Sequence, residues 1–123
     1  MRQALRSYLA QHGYQNVMID FMPDEKDAPE CLYLGFWHHN LGEYHDGTST
    51  RYVQIQARRR TAEEAVRVCD NLIALLDSGD DEDVLHLTPD CWCIARPRRG
   101  PVIHARGAAT ITYACEIALW GPT

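Results

Sequence analysis

Five cysteines and six histidines are the residues of this 123-residue chain best suited to hold a metal or attack a substrate. The densest group is Cys91-Trp-Cys93, with His38-His39, His45, His86 and His104 as further donors. Zinc takes four such ligands converging on a tetrahedron. A Cys-x-Cys pair on a strand puts both sulfurs on one face, so two ligands can fall together. Paired Cys-x-x-Cys knuckles are missing, however, and the histidines follow no matching spacing. Buried thiols and surface histidines account for the same residues, and no metal is assigned. A cysteine nucleophile needs an exposed, activated thiolate beside a base, whereas Cys31, Cys69 and Cys115 fall on expected core faces. Glu43, His45 and Asp46 make an acid–base trio of the kind any polar loop produces by chance. Phosphate loops, Gly-rich dinucleotide fingerprints and Gly-x-Ser-x-Gly are absent. The expectation is a protein without catalytic residues or cofactor.

The elements that would position these side chains are legible from periodicity. Arg2–His12 reads as a short helix with Leu5, Tyr8 and Leu9 on one face and Gly13 as its stop. Asn16–Met22 alternates with period two and reads as a strand, with Val17, Ile19 and Phe21 on one side. Cys31–Trp37 is a second, largely apolar strand. The polar segment His38–Thr50, with Gly42 and Asp46-Gly47, reads as the tip of a long hairpin. Arg51–Arg60 is the clearest strand. Val53, Ile55 and Ala57 point to one side, and Tyr52, Gln54, Gln56, Arg58 and Arg60 to the other. Thr61 and Glu64 fit a capping box opening an amphipathic helix, Thr61–Leu76, with Ala65, Cys69, Leu72 and Leu76 in 4-3-4 spacing. Its apolar stripe is wide enough to expect cover from more than one sheet face or from a neighbouring subunit. Val84–Leu87 reads as a short strand and Cys91–Arg96 as another ended by Pro97. Gly100-Pro101 reads as a turn within Arg98–Gly107, and Ala109–Trp120 as a long final strand. Hairpins outnumber βα units. The expected fold is a single α+β domain over residues 1–123. Its mixed, mainly antiparallel sheet carries the N-terminal helix and one main helix on one face.

Composition narrows the functional classes. A hydrophobic fraction of 46% suits one globular core. No apolar run approaches the roughly 18 residues of a membrane span, and Met1-Arg-Gln-Ala-Leu-Arg lacks the apolar stretch of a secretory signal. The cytoplasm is the expected place of synthesis and assembly, with the cysteines reduced. The net charge of −5, from 12 basic and 17 acidic residues, argues against free nucleic-acid binding as the main task. The charge is nevertheless segregated. Asp24–Glu30 and Asp77–Asp83 are acidic, and Arg58–Arg60 with Arg96, Arg98 and Arg99 are basic. The acidic loop Asp24–Glu30 and the tip His38–Thr50 are expected to project and touch neighbours.

The run Tyr52-Val-Gln-Ile-Gln-Ala-Arg, then Thr61-Ala-Glu-Glu-Ala, then a helix closing in Leu75-Leu76-Asp77, resembles the minor capsid and tail terminator proteins of long-tailed bacteriophages. Gly100-Pro101, Arg106-Gly107 and the long strand Ala109–Leu119 extend the likeness over most of the chain. The resemblance implies a structural virion protein of the head–tail neck. Such proteins form a homo-oligomeric ring, commonly a hexamer, on the completed tail tube. The ring ends tube polymerisation and meets the head connector, and double-stranded DNA only passes through its lumen. Neither membrane nor cofactor is implied. Gln54, Gln56, Arg58, Arg60, Arg98 and Arg99 are the candidate subunit-interface or lumen residues. Two alternatives stand beside this reading: a head-completion or adaptor protein of the same neck, and a small metal-binding module or enzyme using Cys91, Cys93 and loop histidines.

Overall fold

A computed structural model describes residues 1–19, 21–38, 48–79 and 83–122 of the chain. Among these, two helices and six strands follow in the order α1 (Arg2–Gln11), β1 (Val17–Met18), β2 (Cys31–His38), β3 (Thr48–Arg59), α2 (Ala62–Leu75), β4 (Leu85–Thr88), β5 (Cys91–Arg106) and β6 (Ile111–Pro122). The strands form one mixed sheet in the order β1-β2-β3-β6-β5-β4. Only β1 and β2 are parallel; every other neighbouring pair is antiparallel. The α+β architecture expected from the hairpin-rich order is the one observed.

Both helices lie on the same side of the sheet. Leu5 and Leu9 of α1 meet Leu32, Leu34, Val53, Ile55, Cys115, Ile117 and Leu119 in one core, joined by Cys69, Leu72 and Leu76 from the α2 region. The register explains this shared face, because Leu34 lies opposite Ile55, which lies opposite Cys115. Val68, Ile73 and Leu75 flank the buried stripe of α2 and pack against the same core while half-buried. α1 packs against both β1 and β4, the two edges of the sheet. Six flat strands would hold those edges ~24 Å apart, and a helix of ten residues is only ~15 Å long. The sheet therefore curls around its helices, and this concavity receives the wide stripe of α2.

Local signals act at the expected places. The Thr61 hydroxyl accepts a hydrogen bond from the Glu64 amide at 3.2 Å, which is the hydroxyl half of the capping box. Glu63 and Glu64 stand in the first turn, at the positive end of the helix dipole. Gly13, with φ +92°, ends α1 in a Schellman arrangement. Its amide bonds Ala10 O, and the Tyr14 amide bonds Leu9 O, each at 3.1 Å.

Three expectations need correction. The strand read over Asn16–Met22 shrinks to Val17–Met18, and Phe21 is exposed instead of facing inward with Val17. A parallel neighbour requires the chain to cross back before β2 begins, so pairing stops early. Pro97 and Gly100-Pro101 break nothing: β5 runs unbroken for 16 residues from Cys91 to Arg106. Proline is compatible with a strand whose N–H side has no partner. β4 pairs with β5 only near residues 91–93, which leaves the later part of β5 at a sheet edge. The register slips there between Pro97 and Arg99 and again between Arg99 and Val102, as bulges do. The hairpin of β2 and β3 is present, but β3 begins at Thr48, inside the segment read as loop. Residues 39–47 of its tip lie outside the described residues.

Candidate functional site

The sheet face opposite the helices is where the candidate residues gather. β2, β3, β6 and β5 lie side by side and contribute its rows. Trp37 lies opposite Tyr52, and Tyr52 opposite Ala118; Gly35, Gln54, Glu116 and Arg99 form the next row. The Trp37 and Tyr52 rings stack with centroids 5.7 Å apart. The Arg98 guanidinium sits over the Tyr52 ring, 4.4 Å from its centroid, within cation–π range. Gln56 donates to the Gln54 side-chain oxygen at 2.9 Å. At the same end as Trp37, Trp92 and Trp120 meet edge to face at 5.5 Å. Between Gln54, Glu116 and Arg99 lies a hollow of about 170 Å³ that Val102, Ile103, His104 and Ala114 complete. Val102 and Ile103 are 45% and 48% exposed, far more than a closed core would leave them.

Of the six residues singled out from sequence, four meet on this face: Gln54, Gln56, Arg98 and Arg99. Arg58 belongs to the same strand face but has a different occupation. It is buried, and its guanidinium donates to Ala28 O at 2.7 and 3.1 Å and to Pro23 O at 2.6 Å. It thus holds the segment Pro23–Ala28 down over one end of the sheet. Arg60 is exposed beyond the end of β3. It lines a separate hollow of about 300 Å³ with Arg106 and the backbone of residues 107–110.

The acidic loop does not project as expected, because Glu25 fastens it. Its carboxylate accepts from the Ala108 amide at 3.0 Å, the Ala109 amide at 3.3 Å and the Thr110 hydroxyl at 2.5 Å. These bonds, led by that from Thr110, hold the Glu25 carboxyl below its ordinary pKa. Gly107 leaves room for this contact: a Cβ at this position would meet the Glu25 carboxylate, which would have to swing aside. Nothing in the sequence separation of 83–85 residues could have paired Glu25 with the β5–β6 turn.

Cys69, Cys93 and Cys115 belong to the core under the helices, whereas Cys31, expected on a core face, lies opposite Arg58 on the helix-free face and is buried there against Met22. Cys31, Cys69, Cys93 and Cys115 have no solvent exposure, and Cys91 is half-buried. Burial pushes the Cys93 thiol up to about 12. The Cys115 thiol is held protonated by its hydrogen bond to Cys69 and by burial. Cys31 turns its sulfur toward the Met22 thioether at 3.7 Å. His86 is exposed opposite Trp92 on β4, and His104 lies far along β5 from Cys91 and Cys93. Among the described residues, no three of His, Cys, Asp or Glu are grouped to hold a metal ion. Glu43, His45, Asp46, His39 and the side chain of His38 lie outside the described residues.

Tyr52 was read from sequence as part of this strand face, whereas Trp37 and the exposed pair Val102-Ile103 were not singled out. The alternation of Tyr33, Gly35 and Trp37 is the one signal that carries Trp37. The Val-Ile pair in an otherwise polar, arginine-rich strand is the signal for the other. No family model, no curated protein and no solved structure matches this chain.

Proposed function

We propose that this chain is a structural subunit of a long-tailed phage virion, of the tail terminator kind. In this reading, copies close into a ring, hexameric in size, on the end of a completed tail tube. The ring stops the tube from growing and offers its other side to the head connector, and double-stranded DNA crosses the lumen. The protein works in the neck of the virion after assembly in the host cytoplasm, without a cofactor.

The observation that carries the proposal is the sheet face bearing Trp37, Tyr52, Arg98 and Arg99. A two-layer domain needs to cover only one side of its sheet, and here the helices do that. Aromatic rings and arginines on the other side have the composition of a protein contact surface. They stand on a paired, rigid sheet, and the hollow beside them is small. The phage resemblance rests on the residues of the strand–cap–helix unit from β3 through α2.

The test is to add purified protein to polymerising tail-tube subunits and follow the tubes by electron microscopy. A ring of density at the tube end and arrested tube length are expected. Tubes that grow unchanged and bare of this protein would remove the reading.

A further inference from the structure

The chain segregates its charge onto opposite sides of the domain. Residues 91–106, which form β5, hold four arginines and no acidic residue, whereas residues 62–79 hold four acidic residues and one basic. Arg98 and Arg99 are exposed on the helix-free face of the sheet. Asp70 and Asn71 are exposed on α2, whose Ala65, Cys69 and Leu72 point into the core. The two charged surfaces therefore lie back to back, with the sheet and the helix layer between them. Neither can neutralise the other within one copy.

We infer that the arginine-bearing face of one copy docks on the outer flank of α2 in the next. Charge complementarity selects this occupant. Val102 and Ile103, almost half exposed beside the arginines, and Glu116 among them suit a mixed protein surface better than a phosphate backbone, which presents negative charge alone. A contact between two different surfaces repeats from copy to copy, and when its rotation closes it makes a ring. The inference rests on the ring reading above and names the surfaces that would build the ring.

Paired charge reversals test it. Arg98→Glu/Arg99→Glu makes both surfaces of a copy acidic; Asp70→Arg/Asn71→Arg makes the helix flank basic like the sheet face. All four positions are exposed, so circular dichroism and the thermal midpoint should stay near those of the parent chain. Sedimentation velocity, with tail tubes present if the chain needs them, should show each variant alone assembling at least about tenfold more weakly than the parent. An equal mixture should recover assembly, because alternating copies then match acid to base at every contact. Parent assembly should also weaken between ~50 mM and ~500 mM salt as charges are screened. If the parent assembles and both variants still do, or if the mixture stays dissociated, this pairing is wrong while the ring reading stands. A parent chain that assembles neither alone nor on tubes would overturn the ring reading and the pairing together.

Discussion

Arg58 shows how one side chain can be diverted from the surface its strand position promises. In an alternating strand it should point to water with Gln54 and Gln56, but three hydrogen bonds to Pro23 and Ala28 carbonyls bury it. The planar guanidinium holds its donors in a fixed fork, so Nε and Nη2 both meet Ala28 O while Nη2 also meets Pro23 O, an arrangement the single nitrogen of an ammonium does not reproduce. Arg58→Ala leaves those carbonyls without a donor and should cost about 2–3 kcal/mol, read as a lower urea midpoint. Arg58→Lys should recover only part of it. Glu25 anchors the same segment from its acidic side. Its carboxyl titrates below the ordinary glutamate value in the folded chain, so the ionised form is favoured by folding. The stabilisation is complete above the unfolded pKa and is lost as pH falls through the folded one. The amide resonances of Ala108 and Ala109 should therefore titrate together below the usual glutamate midpoint. In Glu25→Gln that titration should vanish; persistence would mean another group controls the turn.

At the scale of elements, β5 illustrates what decides whether proline breaks a strand. Pro97 and Pro101 lack the N–H that a second neighbour would require, and among the described residues β5 has no strand neighbour along that stretch of its outer edge. The Ser78 hydroxyl and amide cover the edge just before it. They bond the Ala95 amide and carbonyl at 2.8 and 2.9 Å. Prolines and bulges then make the remaining edge a poor template for strand addition, so contacts here fall to side chains on the sheet face. The opposite side of β5 is closely fitted. A Cβ at Gly121 would come within 2.6 Å of the Trp92 carbonyl oxygen and 3.4 Å of the Cys93 Cα. Backbone atoms cannot turn aside as a side chain can. Gly121→Ala should destabilise the chain by about 1–3 kcal/mol, with hydrogen exchange first lost where β5 and β6 meet near Trp92 and Trp120. An unchanged midpoint would mean that the two strands can part at no cost.

At the scale of the whole molecule, one core serves a curled sheet and both helices. Three of the five thiols are sealed in that core, Cys91 lies at its margin, and Cys31 is buried on the other face of the sheet against Met22. A thiol reagent at neutral pH should therefore label one cysteine per chain quickly, as counted by mass spectrometry. The other four should react only as the fold opens. Rapid labelling of two or more would mean that α2, or the segment over Cys31, lifts readily from the sheet. The helix-free face has a different character. It gains nothing from the fold beyond its position, and its Trp37–Tyr52–Arg98 stack leaves exposed aromatic and apolar surface. That asymmetry between a sealed side and an open one is what an assembling subunit needs.

The sequence by itself determined the elements whose signals are local. The capping hydroxyl of Thr61, the glycine that stops α1, the stripe of α2 and the alternation of β3 depend on residues a few positions apart, and each folds as read. The α+β class followed from the order of those elements. Only the tertiary structure decided which residues share a surface. The order β3-β6-β5 brings Tyr52 beneath Arg98 and Gln54 into one hollow with Arg99 and Glu116, across sequence separations that no periodic pattern spans. It also turned Arg58 and Glu25 onto the chain's own backbone, because the fold brings the Pro23 and Ala28 carbonyls and the Ala108 and Ala109 amides within their reach. The candidate face was half legible for that reason: its strands announced themselves, and its neighbours did not.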